Sequence, residues 1–193
     1  MKERLAALKK EAEALPSRSQ HAVDEEGRAI LRMNVKDDSD FLSSFSEGEN
    51  PVISDEVAAF LGNSTVTLPP AQPLALHIYS GCIDEGERVE YRNAIKEYYT
   101  GQYVANENER RRNRRIVLLL ALCGILILSM AIFLEYRAES LIWAEVIDIA
   151  AWVFLWEAVD IGTFRNRELR VNRLRYLSLI EMKIVYHSVG EKG

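Results

Sequence analysis

The chain has 193 residues and a formal net charge of -5, enough for one modest soluble domain plus a membrane unit. Residues 1–109 hold 20 acidic and 11 basic residues, a local charge near -9 that argues against nucleic-acid binding by this part. The two cysteines, Cys82 in a polar region and Cys123 inside an apolar run, make no disulfide framework and read as reduced packing residues.

Residues 1–15, rich in Ala, Leu, Lys and Glu, carry too many charges for the apolar core of a secretory signal, so the first membrane helix is expected to direct insertion. Their stripe of Leu5, Leu8, Ala12 and Leu15 fits a short helix, either docked on the domain or pairing with a partner. Pro16 ends it, and residues 16–27 read as a linker. Residues 28–35 alternate Ala29, Leu31, Met33 and Val35 with Arg28, Ile30, Arg32 and Asn34, the pattern of a strand with one face better buried. The polar run 36–50 is a loop in which Phe41, Leu42 and Phe45 are expected to pin a turn to the core. Ser54 then caps a helix with Asp55 and Glu56 in its first turn, ended by Gly62 and Asn63.

Residues 74–79 alternate again and predict a second strand. Asp84 followed by Glu87 is a capping-box pattern opening a long helix, with a kink expected at Thr100 and Gly101. These elements predict a small cytosolic α+β domain over residues 1–109. Residues 116–134 contain no charge over 19 positions and predict a transmembrane helix. A short turn at 135–140 leads into residues 141–164, a second apolar run long enough to span, so residues 110–164 read as a transmembrane hairpin.

Basic residues collect outside this pair. Arg110, Arg111, Arg112, Arg114 and Arg115 precede it, and Arg165, Arg167, Arg170, Arg173 and Arg175 follow it, whereas the turn carries only Arg137. The tendency of positive loops to stay inside places both termini in the cytoplasm of a multi-pass inner-membrane protein, with the arginines at the lipid headgroups. Residues 165–193 predict a basic C-terminal helix over 165–187 and a tail. That helix either lies on anionic lipid or extends the second span and packs against Tyr91, Ile95, Tyr98 and Val104.

The second apolar run carries Glu145, Asp148, Glu157 and Asp160, which at about 100° per residue share one half of the helix with Trp152 and Trp156. Ile147, Ala150, Ala151, Phe154, Leu155, Ala158 and Ile161 fill the other half, which reads as the lipid face. Glu145 and Asp160 lie near the ends, within reach of Arg137 and of Arg114 or Arg115. Asp148 and Glu157 sit about 7 Å from the midpoint of the span, too deep to reach water easily. Protonated and bonded to Ser129 or backbone they would serve assembly; ionised in an oligomeric ring they would line a cation or proton path. The expected outcome is a homo-oligomer, with assembly favoured over conduction and a cytosolic protein as a further possible partner.

Enzyme signatures are lacking. Asp84, Glu85, Glu87 and Glu90 near His77 could be drawn as a metal site, but acids in a first turn are what a helix start prefers. His21 beside residues 24–26 is a weaker ligand candidate, and no HExxH, P-loop, GxGxxG, CxxC or nucleophile elbow occurs, so neither metal nor cofactor is expected. With ISDEVAAFL (53–61), LALHIYSGCIDEGE (74–87) and IDIAAWVFLWEAVD (147–160) followed by RELR and RYL, the chain resembles a group of uncharacterised two-span bacterial membrane proteins with no assigned activity. The resemblance covers residues 51–184. It implies a bacterial inner-membrane setting and carries over no catalytic role.

Overall fold

The computed structural model describes residues 22–46, 51–137 and 141–188, so the helix expected over residues 1–15 and the ligand candidate His21 lie outside the described residues. The elements in chain order are β1 (Ala29–Val35), α1 (Asp55–Ser64), β2 (Leu74–Ser80), α2 (Glu85–Arg137), α3 (Leu141–Asp160), a π-helical segment (Ile161–Arg165), α4 (Asn166–Ile180) and β3 (Lys183–His187). They form two compact units, one of Met1–Lys96 with Glu181–Gly193 and one of Glu97–Ile180.

The first unit is built on a three-stranded parallel sheet of order β1-β2-β3. Leu31 pairs with Leu76 and Met33 with Ile78, while Leu76 pairs with Ile184 and Ile78 with Tyr186, so the apolar positions align across the sheet. Leu31, Leu61, Leu76, Ile78 and Ile95 are fully buried there. Both predicted strands form, and Arg28, expected at the start of β1, precedes it. The Ser54 hydroxyl accepts the Val57 N–H at 3.4 Å, as the capping pattern requires. α1 runs two residues past its expected end, because the Thr65 hydroxyl and N–H both satisfy the Gly62 carbonyl and move the stop to Thr65. Phe41 stacks on Tyr91 at 4.2 Å and anchors the following loop, but Phe45 is 94% exposed and anchors nothing.

Asp84 and Glu87 open α2 with reciprocal bonds: the Asp84 N–H donates to Glu87 Oε2 at 2.7 Å and the Glu87 N–H to Asp84 Oδ1 at 2.8 Å. The expected kink at Thr100 and Gly101 is absent, and α2 continues unbroken to Arg137. A lone glycine keeps its N–H and C=O in the helical ladder and costs only about 1 kcal/mol, too little to break a packed helix. The C-terminal helix also ends earlier than expected. It stops at Ile180, and the β-branched and aromatic run Lys183–His187 joins the sheet beside β2.

The second unit contains the apolar part of α2 together with α3, the π-helical segment and α4. Tyr99, Asn106 and Asn113 of α2 are buried at seven-residue spacing, and Ala131, off that series, is buried further on. This is the seam of an antiparallel helix pair. Asn106 Nδ2 donates to the Leu169 carbonyl at 2.9 Å, and Tyr99 lies 6.3 Å from Tyr176. α4 therefore packs on α2, as in the second of the two arrangements considered for it, but the contacts it makes are with Tyr99, Tyr103, Asn106 and Glu107.

Candidate functional site: the acidic face of α3

Residues 116–134 of α2 expose Leu118, Leu119, Leu122, Leu126 and Ile132 by more than half, a density of bare aliphatic side chains that water does not tolerate. Among the described residues, α2 is the one helix long and apolar enough to cross a membrane.

α3 lies against this stretch. Gly124 brings the two backbones so close that a Cβ built there would meet Leu155 Cδ2 and Cγ at 2.8 Å and the Ala151 carbonyl at 3.4 Å. Ala151, Ala158 and Ile161 are buried on the same side of α3, and Gly162 faces Val117. The sequence reading assigned Ala151, Leu155, Ala158 and Ile161 to lipid. They pack on α2 instead, because small side chains let helices approach and an apolar surface serves a helix as well as it serves lipid.

The acidic half turns away from α2. Glu145, Glu157 and Asp160 are exposed and Asp148 is half-buried, beside Trp152 and Trp156 at 60% and 73% exposure. Among the described residues none of the four acids makes an ion pair or hydrogen bond. Of the partners expected for them, Ser129 is engaged elsewhere and Arg114 and Arg115 do not reach, while the Arg137 side chain lies outside the described part. The Ser129 hydroxyl donates to the Ile125 carbonyl of its own helix at 2.7 Å, and neither Arg114 nor Arg115 pairs with Asp160.

The arginines divide into two sets. Glu107 holds Arg110, Arg111 and Arg173 at 3.7, 3.9 and 3.6 Å, and Glu109 holds Arg112 at 3.9 Å. Arg173 also donates to the Tyr103 hydroxyl at 3.3 Å. Arg114, Arg115, Arg165, Arg167 and Arg170 are exposed and have no carboxylate partner among the described residues, while Arg175 is engaged. Sequence reasoning missed Glu107 as the hub of the first set and missed the buried amides Asn106 and Asn113. The seven-residue spacing of Tyr99, Asn106 and Asn113 was the available signal.

In the first unit, the acids Asp84 and Glu87 are spent on capping, and no group of three or more His, Cys, Asp or Glu side chains suited to a metal occurs among the described residues. His77 has a different partner: its Nδ1 lies 2.9 Å from His187 Nε2, and Tyr79 stacks on His187 at 4.8 Å. Burial, and then the neighbouring His187, hold His77 below its ordinary value of 6.5.

The molecule is thus a membrane-associated helical protein with a small attached domain built on a parallel sheet. No family model, curated protein or solved structure matches the chain.

Proposed function

We propose that this protein is a two-span integral membrane protein of structural or regulatory type, without a catalytic centre, that self-associates through the acidic face of α3. The second span rests on the packing at Gly124: a membrane that takes in the apolar stretch of α2 takes in the helix lying against it. The arginine blocks at the outer ends of the two runs favour cytoplasmic termini, and the resemblance to two-span bacterial proteins fits an inner-membrane setting.

One observation carries the self-association. The small-residue face of α3 is used within the chain, while the face bearing Asp148, Trp152, Trp156 and Glu157 has no partner among the described residues. Each ionised carboxylate deep in hydrocarbon costs about 2.5–3.5 kcal/mol on insertion scales, so two left facing lipid would cost on the order of 5–7 kcal/mol. A second copy presenting the same face lowers that cost when the carboxyls are protonated, because a protonated carboxyl donates a hydrogen bond to an acceptor across the interface and the contact excludes lipid. The assembly would couple the β-containing unit, and any cytosolic protein bound to it, to the bundle. The presence of four carboxylates on one face favours a second reading, a small oligomeric cation or proton channel of the membrane-disrupting effector type.

Disulfide trapping in native membranes tests the interface. In a background lacking the two native cysteines, Trp152→Cys should yield a crosslinked dimer and Ala151→Cys, which faces α2, should not. Equal trapping at both positions, or at neither, would refute the interface.

A further inference from the structure

The five arginines of the two blocks that have no carboxylate partner among the described residues are not scattered. Gly162 lies beside Val117 and Asn106 bonds Leu169, which fixes the antiparallel level of the π-helical segment and α4 against α2. Arg165 then stands within one helical turn of Arg114 and Arg115, at the end of the apolar stretch. Arg167 lies about 8 Å and Arg170 about 12 Å along the axis from the level of Val117. The headgroup layer adds about 5–8 Å to each side of the hydrocarbon, and a long arginine side chain bridges most of the remainder. Arg110, Arg111, Arg112 and Arg173 are instead paired with Glu107 and Glu109.

We infer that Arg114, Arg115, Arg165 and Arg167 form a binding surface for the phosphates of acidic phospholipids, contributed jointly by α2 and by the segment that leaves α3. The inference rests on the reading of residues 116–134 as a membrane span. Arginine suits the task because its planar fork donates two parallel hydrogen bonds to a phosphate, and four such forks at one depth form a collar around the helix pair. The source of phosphate is the bilayer, because the collar borders the apolar stretch directly, and the pocket that Arg165 lines also holds Glu109 and Glu168, which repel a free anion. Arg170, farther away by more than half a Debye length, contributes less.

The test uses the full chain in vesicles and reads a tryptophan placed by Leu119→Trp on the exposed side of α2, in a chain whose own three tryptophans are replaced by phenylalanine, since self-association would cover Trp152 and Trp156. Quenching by brominated phosphatidylglycerol is compared with quenching by brominated phosphatidylcholine. This parent chain should prefer the acidic lipid by about fivefold or more. The variant R114Q/R115Q/R165Q/R167Q should lose that preference while its quenching by the neutral lipid is unchanged, which also reports that it inserts. R110Q/R111Q/R112Q should keep most of it, and R170Q should change it little. Where the fourfold variant does not insert, raising salt from 0.05 to 0.5 M on the parent chain gives the same answer, because a phosphate collar loses selectivity as the screening length shrinks. No preference in the parent chain, a preference indifferent to salt, or an equal loss in the control triple variant would each overturn the inference. Absence of quenching by either lipid would instead remove the membrane span on which it rests.

Discussion

Replacing Gly124 by alanine sets two effects of known size against each other. Alanine inside a helix gains about 1 kcal/mol over glycine. Its Cβ, however, would lie 2.8 Å from Leu155 Cδ2 and Cγ. Because the branch point as well as a methyl is too close, Leu155 must change rotamer or α3 must withdraw, and overpacking of this kind costs about 1–3 kcal/mol. The net expectation is a loss of about 0–2 kcal/mol in the wild-type background. Leu155→Ala removes the obstructing atoms, so Gly124→Ala introduced on top of it should become stabilising by about 1 kcal/mol. Unfolding of the four proteins, followed by steric trapping or by titration with a denaturing detergent, completes the double-mutant cycle. If Gly124→Ala stabilises both backgrounds equally, the helices do not meet at Gly124, and the argument for a paired second span fails with it.

Acidification tests the histidine pair of the sheet. Because His77 titrates lower in the folded than in the unfolded chain, the unfolded state binds more protons, and stability present above the unfolded value of 6.5 is lost as the pH falls below it toward the folded value. The groups facing the pair bias this further: Arg32 and Lys183 oppose protonation and Asp24 favours it. Protection of the β3 amides, taken relative to the intrinsic exchange rate at each pH, should therefore fall as the pH drops below about 6.5, and His77→Gln should flatten the profile; an unchanged slope in the variant would exclude the pair as its cause. Asn113, 1% exposed and with Nδ2 lacking a partner, should be replaceable by leucine with a gain of about 1 kcal/mol in helix-pair stability. A loss of more than that in an unfolding titration would mean that the amide serves a contact formed in the assembly.

The legible parts of the fold were those where one local stretch contains the whole cause. Ser54 before an acidic first turn, Asp84 with Glu87, the alternation over residues 28–35 and 74–79, and 19 uncharged residues from 116 each act within a few positions, and each formed. β3 was hidden because its cause lies about 100 residues away. Ile184 fits a helical stripe with Leu177 and Ile180 as well as it fits a strand, and only pairing with Leu76 decides between them. The acids of α3 lie off the side that packs on α2, but Val146, Ile149, Val153 and Val159 are exposed among them, and a pattern of Ala and Leu cannot say whether lipid or another helix covers the other side. What tipped the choice was Gly124, on another element, whose missing side chain admits Leu155. Glu107 was overlooked as one acid near many arginines; its hub role needed Arg173 brought back from α4.

The central claim, that the acidic face of α3 holds copies of the chain together, is tested most directly by counting subunits in membranes for the variant Asp148→Leu/Glu157→Leu. Crosslinking should show a changed subunit number for this variant, and an unchanged one for Ile147→Leu/Phe154→Leu on the flank away from the acids, with ion flux measured in the same proteoliposomes. An acid-to-leucine protein that keeps its oligomer but loses conductance would replace assembly by the channel reading. One that changes in neither property would contradict both.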